Sequence, residues 1–126
     1  MKEFKIFVNN KTGELARVTE ALATHAVNIK AIASEGGSER SFLRIVTGDV
    51  ATTEKALKNA GLGFDLNEIL DVELIDRPGE LAKVARRLAR QGINVESIYI
   101  LGSKNGKTQI AMVVSDLKRA RDAMGG

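Results

Sequence analysis

Two short polar segments of the chain, 10–14 and 76–80, contain the residue types that bind a small charged molecule. Each includes a glycine, Gly13 or Gly79, next to the start of a predicted helix. Glycine allows a ligand to approach the backbone closely, and the free N–H groups of a helix start bind a carboxylate with the help of the helix dipole. The asparagine or aspartate that opens each segment can accept a hydrogen bond from an ammonium group. Both segments are therefore candidate binding sites.

The two segments belong to a longer internal repeat. The sequence GELA at 13–16 recurs at 79–82, and the match continues at the same offset through Asn28 and Asn94. A duplication of this length indicates two copies of one supersecondary unit rather than a solenoid.

A purely structural role for the same residues is the alternative. We expect Asn28 and Asn94 at the start of the second strand of each copy, close to the first loop of that copy. In the structural alternative the glycines serve only the turn, and the two asparagines bond only to neighbouring backbone. Glu14 and Glu80 fall in the first helical turn, where a carboxylate stabilises the helix through its dipole. We expect both glutamates to point away from the candidate sites, since they would repel a ligand carboxylate.

Composition excludes several classes of protein. The 126 residues contain no cysteine, so disulfides and thiolate metal sites are excluded. No apolar run approaches the ~20 residues of a membrane span, and the lysine-rich start lacks the apolar region of a signal peptide. We expect a soluble protein of the cytoplasm. His25 is the only histidine and has no evident partners, so we expect no catalytic residue, metal site or cofactor.

Basic residues are concentrated in two predicted helices, and the net charge is +3. They are compatible with weak nucleic-acid binding, but two solvated helix faces, partly balanced by sixteen acidic residues, explain them better. Aromatic residues make up only 4% of the chain, which leaves few platforms for base stacking. We do not expect nucleic acid to be the partner.

Hydrophobic periodicity predicts the same order of elements twice. Period-two alternation indicates strands, and apolar residues at three- and four-residue steps indicate helices. The first copy is predicted as strand 3–8, a helix from 14, strands 28–34 and 41–47, helix 49–60 and strand 64–67. The second is predicted as strand 70–75, helix 79–90, strands 95–101 and 108–114, and a helix from 115 to about 124.

This order predicts an α+β fold of two ferredoxin-like βαββαβ repeats. Each repeat would have an antiparallel sheet with its helices on one face, and the second repeat would lack its last strand. We expect the repeats to span 1–68 and 69–126. A unit of this size is marginal alone, and an unfilled sheet edge needs a partner, so we expect repeats to pair within and between chains.

Local chemistry gives further expectations about the ends of these elements. Thr12 is predicted to cap the first helix and Ser115 the last, whereas Pro78 suits the first position of its helix. Hairpin connections are predicted at 35–39 and 102–107. Leucines 15 and 81 are predicted to face inward, and Asp76 to pair locally with Arg77.

The segments DRPGELAKV at 76–84 and QGINV at 91–95 strongly resemble the ACT domain. The first copy has a weaker form of both segments, NKTGELA at 10–16 and AVNI at 26–29. Together these segments cover nearly the whole chain, which resembles two tandem ACT repeats without an attached catalytic domain.

This resemblance implies a non-enzymatic regulatory module. ACT domains pair their sheets side by side and bind an amino acid where the first loop of one repeat meets its neighbour. We therefore expect a homo-oligomer, a dimer or higher, and a regulated enzyme or transcription regulator as a partner. Both loops remain candidates, and the implied ligand-binding residues are Asn10, Lys11, Thr12, Gly13, Glu14, Leu15, Asn28 and Ile29 in the first copy, with Asp76, Arg77, Pro78, Gly79, Glu80, Leu81, Asn94 and Val95 in the second.

Two other functions are compatible with the sequence. The first is a protein–protein interaction module that has the same pairing surfaces and an empty loop. The second is a weak nucleic-acid binder that uses the basic helices. An enzyme on this topology is a further conceivable function, but the fold alone does not give a function.

Overall fold

The computed structural model describes residues 1–9, 11–36 and 40–125. These residues form seven strands and four helices, and they divide into two compact units, Met1–Asn67 and Glu68–Gly126. The elements of the first unit are β1 (Lys2–Asn9), α1 (Glu14–Thr24), β2 (Ile29–Glu35), β3 (Arg40–Thr47), α2 (Val50–Asn59) and β4 (Phe64–Glu68). Those of the second are β5 (Leu70–Ile75), α3 (Glu80–Arg90), β6 (Val95–Lys104), β7 (Lys107–Val114) and α4 (Leu117–Gly125).

The first unit has a four-stranded sheet in the order β2-β3-β1-β4. Strand β3 is antiparallel to both β1 and β2. Alternate residues of the central strands, such as Phe4 and Ile6, are fully buried under the two helices, together with Val18 and Leu22 of α1. This is the predicted ferredoxin-like arrangement, with helices on one face.

The second unit repeats the arrangement with one strand fewer. Its sheet has the order β5-β7-β6, and the missing fourth strand confirms the prediction made from the sequence. The core again lies between sheet and helices, with Leu88 of α3 packed against Ile110 and Met112 of β7. Strands β5 and β6 are the edges of this sheet, whereas β2 and β4 are the edges in the first unit.

The buried stripe of the first helix differs from the prediction. Glu14, Val18 and Leu22 are buried at four-residue steps, so the inward face begins at Glu14 rather than at Leu15. Leu15 lies beside that stripe and is 56% exposed. Leu81 was also wrongly predicted to face inward, since Val84 and Leu88 form the buried side of α3.

The last helix and its preceding hairpin also differ in detail. Asp116 caps α4 by accepting a hydrogen bond from the Arg119 N–H at 3.1 Å. Ser115, which was predicted as the cap, instead accepts a hydrogen bond from the Asn94 N–H. Strands β6 and β7 run further than predicted, because Asn105 and Gly106 both have positive φ and form a two-residue turn. The connection predicted at 35–39 lies largely outside the described residues.

Candidate functional site

The first loop of unit 1 joins β1 to α1 and ends in Gly13. This glycine has φ +93°, a left-handed conformation that favours glycine, and it occupies the cap position of α1. Among the described residues no side chain caps the helix, so the prediction that Thr12 does so was wrong. The first N–H groups of a helix have no partner within the helix. The loop therefore presents uncapped donors, as an anion site requires. Asn10 lies outside the described residues.

The corresponding loop of unit 2 has the same backbone but different side-chain pairing. Gly79 has φ +89° and caps α3. Pro78 was predicted at the first position of the helix. It lies before the helix instead, because Gly79 occupies the cap position and the helix begins at Glu80. Arg77 pairs with Glu80 at 2.6 Å rather than with Asp76, because the first helical turn brings Glu80 back over Arg77. Lys83 also pairs with Glu80, at 3.2 Å.

The glutamate of this second loop is thus well satisfied. Hydrogen bonds from Arg77 and then Lys83 lower the pKa of Glu80 below its ordinary value of 4.5. The negative charge of Glu80 is consequently paired with Arg77 of the loop and with Lys83 of α3.

Asn28 and Asn94, which occupy equivalent positions in the two repeats, do not lie near the first loop of their own unit. Strand register places Ile29 opposite Thr47 at one end of the first sheet, whereas Asn9 pairs with Arg40 at the other end. At about 3.3 Å per residue, Asn28 is therefore some 20 Å from the loop that follows β1. Its predicted proximity to that loop was wrong within a unit.

Asn94 has the same placement in the second unit. The adjoining Val95 pairs with Val114, at the end of the sheet opposite the pairing of Ile75 with Lys107. The Asn94 backbone N–H and C=O both bond to Ser115. Asn28 and Asn94 are exposed, and they precede the first residues of β2 and β6, Ile29 and Val95.

A cavity of about 430 Å³ lies beside the first loop of unit 1. It is lined by residues of β1, α1 and β3, namely Phe7, Val8, Asn9, Glu14, Arg17, Ser41 and Phe42. A smaller cavity of about 150 Å³ shares Glu14 and Ser41 and extends toward Lys11, Leu15 and the end of β2. The larger volume falls within the usual range for small-molecule pockets.

Glu14 faces this cavity, contrary to the expectation that it points away. Its side chain is 10% exposed, and its nearest cationic groups are Arg17 at 3.6 Å and Lys11 at 3.9 Å. Both distances exceed those of a hydrogen bond. Among the described residues, Glu14 Oε2 and Ser41 Oγ are the buried side-chain oxygens without a hydrogen-bond partner.

Two of the lining residues are phenylalanines on neighbouring strands. Phe7 and Phe42 are cross-strand partners whose ring centroids lie 5.5 Å apart at 69°, an edge-on packing. The Lys5 Nζ lies 4.1 Å from the centre of the Phe42 ring. Because side chains alternate along a strand, these rings lie on the face of the sheet opposite Val8 and Ser41.

Four cavity residues, Phe7, Arg17, Ser41 and Phe42, were not predicted from the sequence. The cross-strand register brings them to the loop, and register is not readable from either strand alone. One signal was available, because Phe7 occupies the outward face of an alternating strand in a chain with only four phenylalanines.

Within the described part of the chain, no group of three or more His, Asp and Glu side chains could hold a metal ion. His25 Nδ1 lies 3.1 Å from the Ala21 carbonyl and Nε2 lies 3.3 Å from Asn59, which accounts for both ring nitrogens. None of the described helices has the length and apolar character needed to cross a bilayer.

Comparison with known proteins supports the resemblance seen in the sequence. The family model described as an ACT domain pair matches residues 1–124. Among curated proteins, none matches the chain.

Several solved structures share the fold. Protein BT0572 from Bacteroides thetaiotaomicron is 27% identical with a TM-score of 0.88, over 98% of this chain and 85% of that one. The ligand-free regulatory subunit of aspartate kinase from Thermus thermophilus is 20% identical with a TM-score of 0.68, over 98% and 87%. The corresponding subunit from Thermus flavus is 21% identical with a TM-score of 0.56, over 98% and 91%. The chain belongs to the ACT domain family, as an ACT domain pair.

Proposed function

We propose that this ACT pair is a non-enzymatic regulatory protein of the cytoplasm that binds a free amino acid. The ligand would lie at the first loop of a repeat, where that loop meets a neighbouring ACT unit. The observation that carries the proposal is the cavity beside the loop of unit 1, which combines an uncapped helix start with unpaired buried oxygens. Ligand binding regulates only if it favours one arrangement of units over another.

The chemistry of the loop suits the two charged ends of an amino acid. The N–H groups at the start of α1 and the exposed side chains of Lys11 and Arg17 supply donors for a carboxylate. Carboxylate and hydroxyl oxygens of the cavity supply acceptors for an ammonium group. Donors and acceptors a few ångströms apart match a zwitterion better than a simple anion.

The edge strands support pairing between ACT units of different copies. Ile32 of β2 is 45% exposed, and Ile98 and Ile100 of β6 are also exposed. Exposed apolar side chains on an unpaired strand edge favour addition of another strand. We therefore propose a homo-oligomer in which edge strands of two copies pair.

Such pairing gives the repeat asparagines a role. When two edge strands pair antiparallel, the start of one lies beside the end of the other. The start of β2 or β6 from a neighbouring copy would then come close to a first loop and would bring Asn28 or Asn94 with it. We propose that these asparagines contact the ligand from the neighbour rather than from their own unit.

The relatives of this fold suggest what the module regulates. The Thermus structures are regulatory subunits of aspartate kinase. We propose that the output partner of this chain is likewise an enzyme rather than a transcription regulator.

A ligand-free interaction module is the second candidate. It is favoured by the same exposed side chains, above all Ile100, which is 70% exposed on an edge strand. In that case the edges alone would carry the function, and the cavity would remain empty.

A thermal-stability panel of the twenty amino acids and common metabolites separates these two functions. A ligand at a hundred times its dissociation constant adds about 2.7 kcal/mol to the stability. For units of this size the shift is several degrees. The proposal predicts at least one amino acid with such a shift, whereas a flat panel would support the interaction module.

A further inference from the structure

We propose that the cavity of unit 1 is the binding site, and that Glu14 and Ser41 hold the ammonium group of the ligand there. The corresponding position of unit 2 does not bind. This inference rests on the proposed function, and it names the repeat and the chemical group that the site selects.

The first argument is that two side-chain oxygens beside the cavity are buried without a hydrogen-bond partner. Ser41 is 6% exposed, and Glu14 is buried almost as completely. Glu14 Oε2 and Ser41 Oγ have no hydrogen-bond partner in the described part of the chain. Leaving a buried polar group unpaired costs free energy, and the cost is greater for a charged one. A ligand that donates hydrogen bonds to both oxygens removes that cost.

The second step is the kind of donor that fits. A carboxylate only accepts hydrogen bonds, and an ammonium group carries three donors and a positive charge. One ammonium group can therefore reach both Glu14 and Ser41, which line the same two cavities. The terminal torsion of glutamate is soft, so a small rotation presents either oxygen to the ligand.

The third step is the opposite end of the ligand. Arg17 also lines the cavity, and one of its guanidinium nitrogens donates to the Ala60 carbonyl at 3.3 Å, which holds the side chain over the loop. A second guanidinium nitrogen lies 3.6 Å from Glu14 Oε2, beyond hydrogen-bond distance, so its N–H groups can pair with a ligand carboxylate.

The equivalent position of unit 2 differs in each of these features. Thr108 takes the place of Ser41, since it pairs with Leu74 as Ser41 pairs with Val8. Its hydroxyl is already bonded to Ser103 at 2.9 Å.

The glutamate and a nearby cross-strand pair differ as well. Glu80 is paired with Arg77 and Lys83. Glu73 and Gln109 form the cross-strand pair that corresponds to Phe7 and Phe42. At the positions of Glu14 Oε2 and Ser41 Oγ, which have no hydrogen-bond partner among the described residues, the second unit has a glutamate and a hydroxyl that are already bonded.

The test uses the full chain and the twenty L-amino acids as probes, with titration calorimetry of every probe that raises the melting temperature. Each binding amino acid is compared with its 2-hydroxy acid, in which a hydroxyl replaces the ammonium group. The variants are Glu14→Gln and Ser41→Ala, with Glu80→Gln and Thr108→Val as the matched controls in the second unit.

The proposal predicts that the hydroxy acid binds about tenfold or more weakly than the amino acid, and that Glu14→Gln weakens the amino acid by a similar factor. Ser41→Ala weakens it several-fold without lowering the melting temperature of the free protein. Neither control changes the affinity.

Two outcomes overturn the inference and are distinguishable. If an amino acid binds wild type and both unit 1 variants equally, the assignment to Glu14 and Ser41 is wrong but the proposed function stands. If no amino acid binds, the proposed function and this inference fail together.

Discussion

Glu14 and Glu80 each begin the first helix of a repeat, yet only Glu80 lies within hydrogen-bond distance of a cationic side chain. Its carboxylate is 2.6 Å from Arg77, whereas the nearest cation to Glu14, on Arg17, lies at 3.6 Å. The same backbone position thus holds a hydrogen-bonded carboxylate in one unit and, in the other, a carboxylate whose buried Oε2 has no hydrogen-bond partner. This difference separates a structural glutamate from a candidate ligand residue.

The pairing of Glu80 predicts a dependence of stability on acid pH. Because Arg77 and Lys83 lower the pKa of Glu80 in the folded protein, its contribution is complete above the ordinary value of 4.5. The contribution is lost as the pH falls through the lowered folded value. Glu80→Gln should therefore flatten the fall of the melting temperature below pH 4.5, as measured by scanning from pH 7 to pH 2. An unchanged acid profile would contradict this role.

Asp49 makes a separate prediction at the start of α2. It accepts hydrogen bonds from the Thr52 N–H at 3.1 Å and the Thr52 hydroxyl at 2.7 Å, which lower its pKa. Asn is as good a cap as Asp. Asp49→Asn should thus retain the stability at pH 7 and remove part of its loss in acid, whereas Asp49→Ala should lower the melting temperature at every pH. Equal melting temperatures for the two variants at pH 7 would show that the cap is not needed.

Ser41 and Thr108 should respond in opposite ways to loss of the hydroxyl. Ser41→Ala removes an unpaired buried group and should leave the free energy of unfolding unchanged or raise it. Thr108→Val removes the bond to Ser103 and should lower it by about 1 kcal/mol. Urea unfolding of both variants measures the difference. Destabilisation by Ser41→Ala would mean that the hydroxyl has an internal partner.

Gly13 tests the backbone of the first loop. Its φ of +93° is unfavourable for any residue with a Cβ, but no atom lies within 4 Å of where a Cβ would be. Gly13→Ala should therefore lower the free energy of unfolding by about 1 kcal/mol through conformation alone. Gly13→Asn should cost less, because Asn tolerates this region. Equal costs would indicate a steric cause.

The edge strands predict a change of oligomeric state. Lysine on an edge strand opposes the addition of another strand. Ile32→Lys together with Ile100→Lys should shift the chain toward monomer in sedimentation equilibrium. Ala23→Lys together with Ala51→Lys adds the same two charges at exposed positions of α1 and α2, away from the edge strands, and should leave association unchanged. A wild-type chain that is already monomeric at micromolar concentration would refute the proposed pairing.

Much of the fold was readable from periodicity. Strands and helices appear in the predicted order, including the missing strand of the second unit. The predictions that were wrong concern single residues, at the buried face of a helix or at its cap. Leu15 is apolar and was expected in the core, but Glu14 lies on the same face of α1 as Val18 and Leu22 and is buried instead. The position on the helix, and not the polarity of the side chain, decides which of the two residues is buried. At the start of α4, Asp116 and not the adjacent Ser115 is the cap.

The site was less readable than the fold. The repeat correctly drew attention to the loops, but it could not show that Glu14 faces a cavity in one copy while Glu80 is paired in the other. It also suggested that Asn28 lies near the loop of its own unit, which the register of β2 and β3 excludes. Contacts of this kind depend on strand pairing between distant segments, which local sequence does not encode.

The stoichiometry of binding tests the central claim most directly. Titration calorimetry of the full chain with the amino acid that stabilises it most should give one molecule per chain, because the buried side-chain oxygens without a hydrogen-bond partner, among the described residues, both belong to the first repeat. Two molecules per chain would show that the paired glutamate of the second loop is no obstacle to binding. A titration without heat or saturation would contradict amino-acid binding altogether.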